Sequence, residues 1–364
     1  MTLPQKIFLI DGSAFLYRAF HAIRNLSTSK GKPTNATFGF ARILLKLFKE
    51  NTPVHAAVLF DVKGPTFRHK MYDQYKANRP PMPEELAAQI PDIKRLIRAL
   101  NIPIMEKQGY EADDLAGTYA RLAEEEGFDV VMVTGDKDFI QLVTERCTLW
   151  DPMKDTLQDV GRIKAEMGIE PRQFIDVLGL AGDTSDNIPG VAGVGPKTAT
   201  ELIAKFGSIE TLYDNLDSLK TKRKLHENLS RSRDLVLLSR RLATIDRFVP
   251  VTETMEDFRL IPYNTQEAFA LFQELEFNTL MAEFAKKPDP SEKIYKLITN
   301  LRELEKLAHV LENKGIFALD TETTSKDPTR AGLVGISFSY MENQGFYIPV
   351  GHTSPGEEEQ PAKE

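Results

Sequence analysis

Cysteine is almost absent from this chain, and two other common signals are missing. Only Cys147 is a cysteine among 364 residues, which excludes an internal disulfide framework and predicts a reducing compartment. No run of about 18 apolar residues predicts a membrane helix. The apolar run near the N-terminus is short and broken by charge, unlike a signal peptide. The sequence therefore predicts a cytoplasmic protein with no membrane partner.

An excess of basic residues is also missing, because the formal net charge is −7. The total alone argues against a nucleic-acid partner, since such proteins are usually basic. The charges are segregated, however. Residues 62–79 hold five Lys or Arg against one Asp, and residues 219–241 hold eight against two acids. Local patches steer a polyanion more than the total does, so these two segments are candidate contacts for nucleic acid.

Apolar runs alternate with helical patterns over the first part of the chain, which predicts a parallel α/β sheet. Each predicted strand leads into an aspartate: Asp11, Asp61 or Asp136. Ligand sites lie at the carboxyl ends of parallel strands, so these three acids should converge. The predicted strands are 6–11, 55–61 and 128–136, and the predicted helices are 36–50, 83–100 and 111–126.

The pattern changes twice farther along. It is mainly helical from about 159 to 285, and a polar, proline-containing stretch at 286–293 predicts a linker. A helix near 301–313 and three strand-like runs predict a further α/β segment over 294–364, which ends in a solvated tail.

Acidic residues are concentrated in a few tight groups. In "GYEADDLAG" (109–117), Glu111, Asp113 and Asp114 lie within four positions. Acids favour the first turn of a helix, but mutual repulsion makes that explanation weak for three. A helix cap would explain one of Asp136 and Asp138. Asx turns explain the third group, at 183 and 186, equally well.

The acids carry more weight as a set than singly. No His/Cys cluster favours zinc, whereas carboxylate oxygens suit Mg²⁺ or Mn²⁺. Because Mg²⁺ takes only one or two carboxylates directly, so large a set predicts two ions. Two ions about 3.5–4 Å apart are an arrangement that splits phosphodiesters. The predicted ligands are Asp11, Asp61, Glu111, Asp113, Asp114, Asp136, Asp138, Asp183 and Asp186.

Two further segments are candidate contacts for a nucleic-acid strand. In a helix that begins after Pro65 and stops at Pro80, one face would carry Tyr72, Tyr75, Lys76 and Arg79. A row of aromatic residues on one helix face more often packs into a hydrophobic core. Here the cations and the few aliphatic neighbours favour a surface whose aromatic rings stack on unpaired bases. In "GVAGVGPKTATELI" (190–203), a hairpin precedes a proline suited to the first helical position. Its N–H groups suit a phosphate, although an ordinary glycine-rich loop is the alternative.

Five motifs together resemble the flap endonuclease family, and within it the 5′ nuclease domain of bacterial DNA polymerase I. The resemblance covers about 1–285. It implies a PIN-like core with a parallel sheet and a helical arch in 1–170, and a helical DNA-binding subdomain in 171–285 with a helix–three-turn–helix near 183–206. It also implies two-metal hydrolysis of DNA and RNA primers at 5′ flaps or nicks, in replication and repair. The motifs are "LIDGSAFLYRAF", "QYKANR", "GYEADDLAG", "VTGDKDFIQLV" and "GLAGDTSDNIPGVAGVGPKTA".

The resemblance also implies roles for single residues. The five acids from Asp11 to Asp114 would form one metal set and the other four a second. Arg18, Lys76 and Arg79 would contact the scissile phosphate, and Tyr75 the terminal nucleotide. The hairpin would bind duplex DNA and a K⁺ ion, although Pro196 stands where an acidic or polar residue is common. The implied DNA-binding residues are Tyr72, Gly190, Gly193, Gly195, Lys197 and Thr198.

Residues from about 294 resemble the start of the 3′–5′ proofreading domain of the same polymerase, which is ribonuclease H-like. Asp320 and Glu322 lie two apart on a predicted strand and so share a face. In that family they would be metal ligands, here vestigial. The later acids and the tyrosine of that domain are missing, as is any polymerase region. Neither proofreading nor polymerisation is therefore expected from this chain.

Two other function classes stay open on sequence alone. A non-catalytic DNA-junction binder would have a decayed site, and the presence of all nine acids counts against it. A metal-dependent phosphatase for small molecules would leave the basic segments and the hairpin without a role.

Overall fold

A computed structural model describes residues 5–262, 264–284, 294–314, 316–325, 327, 329–341 and 344–352. The chain divides into two compact units, 1–284 and 285–364. The predicted linker 286–293 and the predicted tail from 353 lie outside the described residues. Within the described part of the chain, no helix is both long and apolar enough to cross a membrane.

A mostly parallel sheet forms the centre of the first unit. Its described strands are β1 (Lys6–Asp11), β2 (His55–Leu59), β3 (Ile104–Met105), β4 (Asp129–Val133), β5 (Cys147–Asp151) and β6 (Thr156–Gln158). They lie in the order β3-β2-β1-β4-β5-β6. All neighbouring pairs are parallel except β5 and β6, so the carboxyl ends of β1, β2 and β4 meet at one edge. The sheet confirms the predicted α/β class.

Helices cover both faces of this sheet, because side chains alternate across a strand. Ile7 and Leu9 of β1 are buried on one face, and Phe8 and Ile10 are buried on the other. The helices that follow the first strand are α1 (Gly12–Ala22), α2 (Asn35–Asn51), α3 (Phe67–Met71), α4 (Glu84–Ala87), α5 (Ile90–Ala99) and α6 (Ala112–Glu125).

A helical region follows β6. Its described helices are α7 (Val160–Met167), α8 (Phe174–Ala181), α9 (Pro196–Phe206), α10 (Ile209–Asp214), α11 (Arg223–Arg231), α12 (Arg233–Ala243), α13 (Thr265–Glu274) and α14 (Asn278–Phe284). Short 3₁₀ helices lie at Lys137–Leu142, Pro171–Gln173, Leu216–Leu219 and Met255–Phe258.

The long helices follow the sequence prediction, and the region between them does not. Predicted helices 36–50 and 111–126 agree with α2 and α6 within a residue or two. The predicted helix over 83–100 is two helices, because Pro91 lacks an N–H and starts a new one at the beginning of α5. Strands β3, β5 and β6 were not predicted.

The helix predicted between Pro65 and Pro80 is wrong beyond Met71, where α3 ends. Tyr72 has an extended backbone (φ −151°, ψ 105°) and Lys76 has a φ of +55°, so the predicted stripe does not share a helix face. The segment instead hydrogen-bonds to the loop at 183–187. The N–H of Lys76 donates to the carbonyl of Asp186, and the Asn187 side chain donates to the carbonyl of Gln74. These tertiary contacts outweigh the local helical pattern.

The predicted helix–three-turn–helix is formed by α8, a loop over 182–195, and α9. It begins earlier than the predicted 183, because α8 supplies its first helix. Helix α9 begins at Pro196, as predicted, and Gly193 has a φ of +80°. The Asn228 side chain on α11 donates to the carbonyl of Ala192 at 2.7 Å, which joins α11 to the hairpin.

The second unit contains a four-stranded sheet among its described residues, in the order β7-β10-β9-β8, with a helix on one face. Its elements are β7 (Ile294–Leu297), α15 (Leu301–Glu312), β8 (Ala318–Thr323), β9 (Leu333–Ser339) and β10 (Gln344–Pro349). The helix and three of these strands were predicted, and β7 was not. Asp320 and Glu322 lie exposed on β8.

Gly190→Ala should destabilise the first unit much more than Gly195→Ala. A Cβ at Gly190 would lie 2.3 Å from the carbonyl carbon and oxygen of Ala181, which are backbone atoms. A Cβ at Gly195 would meet nothing within 4 Å. We expect a loss of about 1–3 kcal/mol for Gly190→Ala from overpacking, and less than about 1 kcal/mol for Gly195→Ala from a weaker helix cap. Urea unfolding measures both, and equal losses would contradict the packing role of Gly190.

Candidate active site

The predicted carboxylates gather where the parallel strands end. Asp11 is the last residue of β1 and caps α1 by accepting the N–H of Ala14 at 2.9 Å. Its other oxygen accepts the hydroxyl of Thr134, just after β4, at 2.8 Å. Asp61 follows β2 and accepts the N–H of Ala112 at the start of α6, at 2.8 Å. Three strands and one helix N-terminus therefore converge on these acids.

Asp113 lies among the acids of the first predicted set. Burial raises its pKa well above the ordinary value, and the negative charges of Asp11, Asp61, Asp136 and Glu111 raise it further. Burial also raises the pKa of Asp11 to about 7, although hydrogen bonds from Ala14 and Thr134 oppose the shift. Both carboxyl groups are therefore buried, and the charges of neighbouring acids add to the cost of ionising them.

A second group lies around Asp138. Burial raises the pKa of Asp138 to about 7, and the charges of Asp136 and Asp183 add to the shift. Its Oδ1 atom is buried without a hydrogen-bond partner among the described residues. Asp136 interacts with Asp113 as well as with Asp138, so the two groups are adjacent.

Tyr75 joins the two groups. Its hydroxyl lies 2.9 Å from Glu111 and 3.0 Å from Asp186, and its side chain is buried. Burial and both carboxylates raise the pKa of Tyr75 well above its ordinary value, so the phenol stays protonated and donates. The expected contact with a terminal nucleotide does not fit this placement, because a ring that is 3% exposed has no free face for a base.

Cationic side chains lie among the same carboxylates. Lys76 Nζ lies 2.6 Å from Glu111 and 3.5 Å from Asp186, and Arg79 pairs with Asp186. Burial alone would lower the pKa of Lys76, but the two carboxylates outweigh it and raise that pKa. Lys137 Nζ lies 3.4 Å from Asp183. Within the described ranges, no three His, Cys, Asp or Glu side chains lie close enough to share a metal ion as they stand.

Asp114 departs from its predicted role as a metal ligand. Its two oxygens accept the guanidinium of Arg68 at 2.8 and 2.7 Å, and both residues are almost fully buried. The same carboxylate accepts the N–H of Glu111 at 3.0 Å and that of Asp246 at 2.8 Å. Since every oxygen is already bound to a donor, Asp114 stabilises the fold here. Arg68 also donates to the backbone carbonyls of Leu242, in the last turn of α12, and Thr244, just after it.

Sequence reasoning missed Arg68 and Asp151. Asp151 is the last residue of β5, and it pairs with Arg18 of α1 at 3.0 Å. The signal that identified Asp11, an aspartate at the end of an apolar strand, applies equally to the run "CTLWD". Nothing in the spacing marks Arg68, whose partner Asp114 lies 46 residues away.

The predicted DNA-binding residues of the hairpin belong to neither carboxylate group. Gly193, Gly195 and Lys197 are exposed, and Thr198 is half-buried at the start of α9. Gly190 packs against the backbone of Ala181, as described above, so it shapes the loop instead of offering a free surface. Tyr72 is half-buried against the core of the first unit. Exposed basic side chains of the neighbouring α11 segment are Lys220, Lys222, Arg223, Lys224, Arg231 and Arg233.

Comparison with known families accounts for both units. The 5′–3′ exonuclease N-terminal resolvase-like domain matches residues 6–169, and the 5′–3′ exonuclease C-terminal SAM fold matches residues 169–266. The chain belongs to the 5′–3′ exonuclease family. A further family, 3′–5′ exonuclease, matches residues 295–363, which agrees with the predicted partial segment.

Curated relatives extend well beyond this chain. DNA polymerase I of Chloroflexus aurantiacus is 40% identical over 397 residues, covering 96% of this chain and 42% of the relative. That of Pseudomonas aeruginosa is 39% identical over 97% of this chain and 41% of the relative. That of Bacillus subtilis is 42% identical over 77% and 32%, respectively. The chain thus spans about two fifths of the length of the first two relatives.

Solved structures confirm the fold. T5 5′-exonuclease with bound zinc is 22% identical, with a TM-score of 0.55, over 78% of this chain and 100% of the other. The Rad2 catalytic core with a DNA substrate is 18% identical, with a TM-score of 0.52, over 78% of this chain and 92% of the other. At these identities the likeness shows the fold alone, which is the predicted PIN-like architecture.

Substitution of the adjacent acids should separate their roles. Asp114→Asn weakens a buried ion pair and leaves Arg68 partly uncompensated, so we expect a loss of about 3–5 kcal/mol. Asp113→Asn should instead leave stability unchanged or raise it at pH 7 without added metal. Its pKa is raised in the folded state, so ionisation costs stability as the pH rises above the unfolded value of 3.8.

Urea unfolding in EDTA at pH 7 and pH 4 measures both effects. The gain from Asp113→Asn should shrink at pH 4, where the folded wild-type protein already binds that proton. Equal destabilisation by the two variants would show that Asp114 has no special part in the fold.

Proposed function

We propose that this chain is a structure-specific 5′–3′ exonuclease and flap endonuclease that works in the cytoplasm in replication and repair. Its substrates would be DNA with a 5′ flap or nick and RNA primers, and its cofactors two Mg²⁺ ions, which Mn²⁺ replaces. The observation that carries the proposal is the meeting of two carboxylate groups at the carboxyl edge of the sheet, joined through Asp136 and Tyr75.

The donor atoms fit divalent ions. All of them are carboxylate oxygens, the ligands that Mg²⁺ and Mn²⁺ prefer. The Oδ1 of Asp138 is buried without a hydrogen-bond partner in the described part of the chain, and the pKa values of Asp11 and Asp113 are raised. Such groups gain from a nearby positive charge. Ions held there would lower the pKa of a bound water and stabilise the leaving oxygen. The proposed ligands are Asp11, Asp61, Glu111, Asp113, Asp136, Asp138, Asp183 and Asp186.

The chain's own cations would neutralise the substrate. Lys76 and Arg79 now pair with Glu111 and Asp186. A scissile phosphate entering between the two groups would offer these cations a new anionic partner, and their charge would stabilise the transition state. Arg18, which pairs with neither of those acids, would contact the same phosphate.

Duplex DNA would bind through its phosphates, without base readout. The exposed hairpin glycines Gly193 and Gly195 lie beside the exposed basic face of α11, and the hydrogen bond from Asn228 to Ala192 joins the two. Together they form one surface, which we call the hairpin surface, with Lys197 and Thr198 at its edge. A K⁺ ion at the hairpin is part of this proposal. A phosphatase for small molecules would have no use for such a surface.

A 5′-flap oligonucleotide with a fluorescent label should be cut to short products in Mg²⁺, with a 5′ phosphate left on the remaining strand, and EDTA should abolish cutting. Asp113→Asn should weaken the binding of the ions that stabilise charge at the reacting phosphate and so lower the rate at least about 100-fold, while DNA affinity is kept. Glu125→Gln, at an exposed acid on the same helix, is the matched control and should cut normally.

The flap experiment also separates the alternatives. Folded protein that binds the flap but leaves it intact would identify a non-catalytic binder. Folded protein that neither binds nor cuts the flap would refute the nuclease proposal altogether.

The salt dependence of duplex binding should report contacts on the hairpin surface. A protein that neutralises phosphates releases counterions, and each contact adds about 0.9 to the slope of log affinity against log salt. Replacing Lys222 and Lys224 by glutamine should therefore reduce the slope by up to about 2. The control is Lys164→Gln on α7, outside the hairpin surface. Equal slopes for wild type and the double variant would exclude α11 from the duplex contact.

A further inference from the structure

Arg18 differs from the other two cations expected at the scissile phosphate in the acid with which it pairs. Lys76 and Arg79 are bound to proposed metal ligands. The Arg18 guanidinium instead donates to both oxygens of Asp151, at 3.1 and 3.0 Å. Asp151 belongs to neither carboxylate group. Of the three cations, Arg18 is therefore the one whose ion pair does not involve a proposed metal ligand.

Asp151 is itself firmly placed. It ends β5 and its side chain is only 8% exposed, whereas that of Arg18 is 27% exposed. Its Oδ1 also accepts the backbone N–H of Met153 at 3.0 Å, which fixes the carboxylate independently of Arg18. The geometry is therefore that of a fixed acid holding a longer, more exposed cation.

Gly135 provides the space for this guanidinium. A Cβ at Gly135 would lie 1.8 Å from Nη1 and 2.7 Å from Cζ of Arg18. Gly135 directly precedes Asp136, the residue shared by the two carboxylate groups. The guanidinium therefore lies against the backbone beside those groups, in the volume that any side chain at 135 would fill.

We propose that Asp151 is a positioning residue for cleavage, which holds the Arg18 guanidinium beside the carboxylate groups and keeps it from pairing with them. A guanidinium has five N–H donors. The bidentate contact uses one from each terminal nitrogen, so three remain for a phosphate. Asp151 acts through Arg18 and does not touch the substrate. This inference rests on the proposed nuclease function.

The test is a double-mutant cycle on flap cleavage with Asp151→Asn and Arg18→Ala. Asp151→Asn keeps the shape of the side chain but removes its charge, so the guanidinium is free to pair with the nearby acids. Because misplacing a catalytic contact by about 1 Å costs up to about 100-fold, we expect kcat to fall at least about tenfold while KM changes little. In the Arg18→Ala background, Asp151→Asn should have no further effect.

Gly135→Ala provides a second route to the same displacement. The backbone at 135 accepts alanine, and the clash falls on the far end of a flexible side chain, so the protein should fold. The added Cβ would also lie 3.0 Å from Oδ2 of Asp151, which has to give by a few tenths of an ångström. The Asp151 carboxylate is kept while Arg18 is forced away, and kcat should fall as in Asp151→Asn. Glu124→Gln removes a comparable ion pair with Arg247, 3.1 Å long, and should leave cleavage unchanged.

The outcomes distinguish this inference from the function on which it rests. A wild-type rate in Asp151→Asn, or an equal loss in the Arg18→Ala background, overturns the positioning role while the nuclease stands. A wild-type protein that leaves the flap intact overturns the proposed function, and the inference with it.

Discussion

Repulsion between carboxylates held at one edge of a sheet is the constraint on which the rest of the first unit depends. Parallel strands bring Asp11, Asp61 and Asp136 together because their carboxyl ends coincide. The N-terminus of α6 adds Glu111 and Asp113 to the same place. The raised pKa of Asp113 records the free-energy cost of this arrangement. Burial of apolar side chains on both faces of the sheet has to exceed that cost for the site to exist.

Positive side chains offset the repulsion in three different ways. Arg68 is buried and permanently paired, so it stabilises the start of α6 whatever is bound. Lys76 and Arg79 are held by contacts that an anionic substrate would compete for. Arg18 is reserved by a separate acid, Asp151. Burial separates the first way from the second: Arg68 is 2% exposed, whereas half of the Arg79 side chain is exposed.

The sequence predicted which acids converge but could not distinguish their roles. Strand-ending aspartates and the run at 111–114 are local patterns, so the fold class and the gathering of carboxylates follow from them. Asp113 and Asp114 are adjacent, however, and only Arg68, brought near by tertiary folding, decides that Asp114 is engaged. Residues 72–79 do not form the predicted helix for the same reason: this segment hydrogen-bonds to residues more than 100 positions away. Distant partners leave no periodic signal.

The end of β5 has a consequence for spectroscopy. Trp150 is the only tryptophan of the chain, and it directly precedes Asp151. Its indole is 8% exposed and lies under the amino group of Lys46, 5.9 Å from the ring centroid. The tryptophan fluorescence of the protein therefore comes from a single site, next to the Arg18–Asp151 ion pair. The native chain thus carries an unlabelled optical reporter at the edge of the sheet where the carboxylates lie.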